Sequence, residues 1–415
     1  MRPRSPPATA RYHVDVAVVG SGIAPLLSAS LLSARGVPVA LLGDPARALT
    51  YELPGFSLPK RPWFVRVSPI SPLHAICTEL GLALSSYLAP DEPEERFVAA
   101  HETWTWRLEE GLRASANGVD ALLTDDPMRV VLSKLDRHWS RSVGASDLHA
   151  YAHHASPGAQ LLDLRSLVTE LLRRFKGAQR HHVTVSEFPL MVRDGKAAFV
   201  LTDARTGAGV HADSVIWEGD ARAFRALSKD PAASQLVRSP QRVFRANVVT
   251  RGAPRTRSRI WLILPDSGAI VEVIAEPMQD GTTVWLLCTE ASVHEVHSRR
   301  RMLKGLQDYV LQPEEHVLLA DSVFDGLPVQ LLDDGVLRAI DRADLRARGV
   351  AVEPEACDPK YMIAPYSLPP HQAHPATLRD LPVRFVGSAL YPEWGFEGEV
   401  RSAAETADKL EPRRA

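Results

Sequence analysis

Between Val14 and Leu42 the apolar pattern changes twice, from a short continuous run to a spaced stripe and back to a short run. Val14–Val19 is Val-rich, as suits a strand buried on both faces of a parallel sheet. Gly20-Ser21-Gly22-Ile23-Ala24 then turns into Pro25–Leu32, whose spacing predicts an amphipathic helix. Arg35-Gly36 ends that helix, with Gly36 as its C-terminal cap, and Val37–Leu42 returns as a strand. A strand, glycine turn, helix and strand in this order predict a βαβ unit. Such a turn brings backbone N–H groups and the positive end of a helix against a pyrophosphate. Gly20 permits the tight turn, and Gly22 removes a side chain that would block the phosphates.

The same pattern recurs at the other end of the chain. Pro382–Gly387 reads as a short buried strand, followed by Ser388–Glu399 with the pair Gly395 and Gly398, and then a helix to about Leu410. Between the two ends, helical spacing covers Leu73–Leu80, Pro127–Trp139, Leu161–Phe175 and Ser292–Leu311. Strand patterns cover Val243–Val249, Arg259–Leu264, Ala269–Ala275 and Thr283–Cys288, with turns at Asp266-Ser267-Gly268 and Gln279-Asp280-Gly281.

Composition narrows the classes. With 48 basic and 50 acidic side chains among 415 residues, the net charge of −2 leaves no electrostatic footprint for nucleic acid. An apolar share of 45% excludes intrinsic disorder. Three dispersed cysteines, Cys77, Cys288 and Cys357, form neither a disulfide framework nor a metal cluster and suggest a reducing compartment. The preference for Arg over Lys and the abundance of Pro read as the codon bias of a GC-rich bacterium. Residues 14–32 resemble a signal peptide or anchor only superficially, because Asp15, the glycines and Pro25 interrupt them. No other run approaches the roughly 18 apolar residues of a membrane span. A cytoplasmic protein with no integral membrane segment is expected.

Together the two ends resemble the FAD-dependent oxidoreductases of the amine oxidase and phytoene (carotenoid) desaturase type. In that family an N-terminal βαβ unit holds the ADP part of FAD. A C-terminal strand, a Gly-x-x-Gly segment and a helix close over the pyrophosphate, ribityl chain and flavin ring. His182–Glu187 resembles the segment whose valine backbone, here Val185, contacts adenine, and Ala212–Ala221 resembles the strand that returns to the cofactor domain. The resemblance implies an α/β fold: a Rossmann-like FAD/NAD(P)-binding domain with a discontinuous α+β substrate domain. The cofactor domain would comprise 12–60, 151–235 and 380–415, the substrate or cap domain 61–150 and 236–379, and 1–11 a disordered tail. Non-covalent FAD would be held by Gly20, Ser21, Gly22, Ile23, Ala24, Asp44, Val185, Gly387, Ser388, Trp394, Gly395, Phe396 and Gly398. Tyr391, Glu393, Trp394 and Phe396 would border the flavin ring. Hydride would pass to flavin from a small or hydrophobic organic substrate, amine-like or polyene-like. Flavin carries this chemistry itself, so no catalytic side chain is required.

The chain departs from the family pattern where FAD would be held. Pro25 replaces the third small residue of the turn, Gly43 stands where the ribose-binding acid belongs, with Asp44 one residue late, and Ser388 replaces the carboxylate after the C-terminal strand. Each lost charge-assisted contact costs about 1.5–3 kcal/mol. Acids restored at Gly43 and Ser388 are expected to tighten FAD if the family geometry holds. The alternative is a non-catalytic descendant of the flavoprotein fold that has lost or weakened FAD binding and serves as a binding or scaffold protein. Its groove would be filled by side chains. A simple NAD-type binder is disfavoured by the C-terminal Gly395/Gly398 segment.

Other residues read more plainly as structure. Trp104 and Trp106 read as packing, and the pairs His153-His154 and His181-His182 lack acidic or Cys partners at metal spacing, so no metal site is expected. Arg251, Arg255, Arg257 and Arg259 read as a solvated strand edge kept from aggregation by charge.

Overall fold

The computed structural model describes residues 12–53, 55–89, 94–99, 102–107, 111–116, 119–122, 160–180, 190–193, 196–202, 209–218, 243–252, 256–264, 270–290, 295–324, 327–331, 337–339, 382–387 and 395–410. Two large sheets organise them. The first has seven strands: β1 (Tyr12–Val19), β2 (Val39–Leu42), β3 (Ala178–Arg180), β4 (Leu190–Arg193), β5 (Lys196–Thr202), β6 (Gly209–Glu218) and β7 (Val383–Val386). Their order in space is β3-β2-β1-β6-β5-β4, with β7 beside the second half of β6. β1, β2, β3, β6 and β7 run parallel, and β5 and β4 add an antiparallel flank. The N-terminal βαβ unit and the C-terminal strand therefore meet in one sheet through β6.

Among the described residues five helices of eight residues or more pack against the two sheets: α1 (Ile23–Ala34), α2 (Pro72–Glu79), α3 (Leu164–Arg174), α4 (Glu295–Tyr309) and α5 (Gly395–Lys409). α1, α2, α3 and α5 share one hydrophobic core on a face of the first sheet. Every residue of α1 from Ile23 to Leu32 is buried. The spacing predicts an amphipathic helix, but α1 has the sheet on one side and α3 and α5 on others, so no polar face is left. Each of its buried leucines contributes about 2 kcal/mol of apolar burial. Gly36 caps the helix with φ +81, as its position predicts. The segment around Trp63, α2 and Leu84, which the sequence places with the second domain, packs in this same core.

The predicted helix Leu161–Phe175 begins later than its apolar spacing suggests. Gln160–Asp163 forms a strand antiparallel to Phe64–Val67, and α3 starts at Leu164 because the Asp163 side chain accepts the N–H groups of Arg165 and Ser166.

The second sheet has eleven strands drawn from residues 94–122 and 243–339. Its centre is Val243–Arg251, Thr282–Glu290, Ile270–Pro277 and Ser258–Ile263, paired antiparallel in that order. Ser258–Ile263 then pairs parallel with Glu94–Ala99, which joins the two sequence blocks. α4 packs Met302, Leu303 and Leu306 on one face of this sheet. The expected architecture, a Rossmann-like domain with a discontinuous sheet domain, is the architecture observed. Trp104 and Trp106 lie on the strand Glu102–Arg107. Pro127–Trp139, His153-His154, His181-His182, the Asp266-Ser267-Gly268 turn, Arg255 and Cys357 lie outside the described residues. Among the described helices none is long and apolar enough to cross a membrane.

Candidate functional site

Four parallel strands end along one edge of the first sheet. Gly20 follows β1, Gly43 follows β2, Glu218 closes β6 and Gly387 follows β7. This carboxyl edge is where open α/β sheets bind ligands. Three of the four positions carry no side chain, and Glu218 fills the room at Gly20 and packs against Gly387. A Cβ on Gly20 would lie 2.6 Å from Cβ of Glu218, one on Gly387 would lie 3.6 Å from its Cγ, and one on Gly22 would run into its carboxylate. Gly20 (φ +151) and Gly387 (φ +111) also hold backbone conformations that other residues rarely adopt.

Glu218 caps the glycine turn. Its carboxylate accepts the Gly22 N–H at 2.6 Å. Gly22 is the N-cap of α1 and has no side chain to offer. The unpaired donors and positive dipole end of a helix buried from Ile23 to Leu32 are thus met by a carboxyl group from another strand. Burial pushes the Glu218 carboxyl up to about 7, Glu399 pushes it in the same direction, and the Gly22 N–H and Arg61 pull it down.

Arg61 and Glu399 complete the cluster. The Arg61 guanidinium donates to both oxygens of Glu399, at 3.1 and 3.0 Å. α5 is fixed beside the strand ends by two further contacts. Ser402 Oγ accepts the Gly387 N–H at 3.0 Å and donates to the Glu399 carbonyl at 2.8 Å. Glu397 accepts the Ser68 N–H at 3.0 Å and the hydroxyl of Ser71, the N-cap of α2. The Gly395/Gly398 pair thereby lies within the first turn of α5 rather than in a loop ahead of it.

The sequence-predicted residues divide four ways. Gly20, Ser21, Gly22, Asp44 and Gly387 gather at the strand ends, and the Asp44 N–H donates to Ser21 Oγ at 3.1 Å. Ile23, Ala24 and Phe396 are at the same place in the chain's course, but their side chains belong to the hydrophobic core. Gly395 and Gly398 are helical. Val185, Ser388 and Trp394 lie outside the described residues, as do Tyr391 and Glu393. Sequence reasoning missed Glu218, Arg61 and Glu399. One signal was present: an acid at the carboxyl end of a parallel strand that adjoins a glycine turn.

Two departures from the family pattern find physical reasons. The Pro25 ring lies where a Cβ on Gly20 would stand 2.7 Å from its Cγ, so turn and helix close on each other without a third glycine. Pro25 also falls in the first turn of α1, where its missing N–H costs nothing. A Cβ on Gly43 would collide with the Gly20 carbonyl. β2 ends hard against the turn, with the Gly20 N–H bonded to the Leu42 carbonyl at 3.1 Å. The expectation that an acid at Gly43 tightens FAD is therefore corrected: no side chain fits there.

The arginine patch is also reinterpreted. Arg251 is exposed. Arg257, in contrast, pairs with buried Glu276 at 3.0 Å and lies 3.5 Å over the Phe64 ring. Arg259 pairs with Glu272 and stacks on Trp261. These two arginines are structural, and Arg257 ties the second sheet to the segment that enters α2. Arg165 of α3 lies over Trp63 in the same junction.

No family model and no curated protein matches the chain. Solved structures do match. An oxidoreductase from Methanosarcina mazei superposes with a TM-score of 0.61 at 14% identity, covering 95% of this chain and all of that one. A putrescine oxidase variant with redesigned cofactor binding gives 0.58 at 14%, covering 97% and 99%. The chain shares the fold of these two structures. A geranylgeranyl bacteriochlorophyll reductase-like protein from Thermoplasma acidophilum gives 0.50 at 11%, covering 96% and 78%. Identities this low establish the shared fold.

Proposed function

We propose that the chain is an FAD-dependent oxidoreductase that takes a hydride from a small or hydrophobic organic molecule, amine-like or polyene-like. The observation that carries the reading is the cradle at the start of α1. Its backbone donors face an edge cleared by Gly20, Gly22 and Gly387, and they already hold an anion, the Glu218 carboxylate. That carboxylate stands in for a phosphate, so the residues present fit the pyrophosphate of a dinucleotide once the Glu218 side chain turns aside. FAD, when bound, supplies the hydride-accepting chemistry. The residues of the chain bind and orient it: the Ser21 and Gly22 backbone at the pyrophosphate, Asp44 beside the end of β2, and Arg61 near the same cradle. Freshly purified protein is expected to be yellow, with a visible flavin band that a reductant bleaches. A colourless protein that takes up no FAD on reconstitution would overturn the reading.

A second reading has an observation of its own. Glu218 fills the place of the phosphate, as a non-catalytic descendant with a side-chain-filled groove would require. On that reading the protein binds a partner and stays colourless under all conditions, with Glu218 as a permanent helix cap.

A further inference from the structure

We propose that Glu218 is a built-in competitor of the cofactor's pyrophosphate, an internal carboxyl acceptor that must swing out of the cradle before a dinucleotide can enter. The proposal rests on the cradle being a dinucleotide site, as the flavin reading also requires. Carboxylate and phosphate are both anionic oxygen acceptors, and the start of a helix favours either. The cradle has room for only one. The Gly22 N–H is fully engaged by Glu218 at 2.6 Å, and this side chain fills the space beside Gly22 and, with Pro25, the space beside Gly20.

The plug is held by little. It accepts backbone hydrogen bonds from Gly22 and Ser21, in the turn that leads into α1. The nearby cation, Arg61, is committed to Glu399 through two hydrogen bonds and reaches Glu218 only through space. From α5, Glu399 repels it. From β7 it faces Gly387, which has no side chain. Glu218 is the last residue of β6 and the end of a flexible side chain, so it can rotate without disturbing the sheet.

Proton linkage gives the device a direction. In the cradle Glu218 binds a proton up to about pH 7, whereas turned into water it ionises near the ordinary value of about 4.5. Opening the cradle releases that proton. Dinucleotide binding should therefore strengthen as pH rises from about 5 to 7 and level off above.

The test uses the full chain as wild type, E218A and E218Q. Each is titrated calorimetrically with ADP-ribose, a pyrophosphate without a flavin ring, and with FAD, at about pH 5.5 and about pH 8, with thermal melts to establish folding. E218A is expected to bind ADP-ribose about ten-fold more tightly than wild type at the lower pH, with a smaller gain at the higher. E218Q, which matches the protonated form but cannot ionise when it opens, should bind no more tightly than wild type and show no pH dependence. Equal or weaker binding by folded E218A overturns the proposal, as does the absence of ADP-ribose binding by every form. Tighter ADP-ribose binding by E218A with no FAD uptake by any form supports the plug and removes the flavin reading.

Discussion

Helices α2 and α3 begin on side chains from their own flanks, whereas α1 begins on one from a strand 196 residues away. Ser71 Oγ accepts the Leu73 N–H at 3.2 Å, and Asp163 accepts the N–H groups of Arg165 at 2.9 Å and Ser166 at 3.4 Å. Such caps form with their helices and cannot leave without unwinding them. The α1 cap arrives only when β6 joins the sheet, and it can depart while α1 stays buried among its neighbours. A local cap serves folding. A remote cap at a glycine turn leaves the helix start free for a ligand.

A second pair of groups extends the contrast. Glu218 and Glu276 are both buried carboxyls pushed up to about 7, in each case chiefly by burial. Glu276 has its own cation, Arg257, which also lies over the Phe64 ring. Glu218 has the backbone N–H groups of Gly22 and Ser21 and a cation already engaged elsewhere. The same displacement of ionisation thus marks an anchor in one place and a removable plug in the other.

The largest expected effect separates the two kinds of glycine at the strand ends. Gly43→Ala sets a Cβ against the Gly20 backbone, which cannot move aside, so a loss of about 3 kcal/mol is expected in denaturant melts. A loss below about 1 kcal/mol would show that β2 does not close on the turn as described.

Next in size is the pH dependence of stability. An acid raised above its unfolded value favours folding while it is protonated, and that advantage fades as pH climbs from about 4.5 toward 7. Relative to Glu276→Gln, wild type should lose about 2 kcal/mol between about pH 5 and pH 8. Parallel melting curves for the two proteins across that range would remove Glu276 from the account.

A smaller effect sharpens the plug itself. Gly22→Ala collides only with the Glu218 carboxylate among its nearest neighbours and should cost about 1–2 kcal/mol. In an E218A background the same change should cost less than half as much, and a double-mutant cycle reads the coupling. Additive losses would mean that the Glu218 contact is not what restricts Gly22. Smallest of all, Asp163→Ala removes a local cap and should cost about 1 kcal/mol in thermal melts with no change in ligand binding.

Much of the fold was legible because its signals are local. Short Val-rich runs, a glycine turn, a helical stripe and Gly36 specify a βαβ unit without reference to the rest of the chain. The turn residues Gly20 and Gly22 were legible for the same reason. The C-terminal helix is plain in the sequence, but its start is not, because Glu397 secures the first turn of α5 through Ser68 and Ser71, more than 300 residues away in the chain. Arg257 reads as solvated in sequence because its partner, Glu276, lies on a neighbouring strand and its ring, Phe64, on another element.

By itself the sequence determined the βαβ unit at the start and the strand and helix at the end, since periodicity and turn chemistry act over a few residues; that the two ends share one sheet was implied by the family resemblance. Only the tertiary structure decided what occupies the carboxyl edge of that sheet. Gly43 is glycine because β2 ends against the turn, and Glu218 lies in the phosphate place because β6 runs beside β1. Both depend on register between distant strands, and a register contact leaves no mark on local sequence.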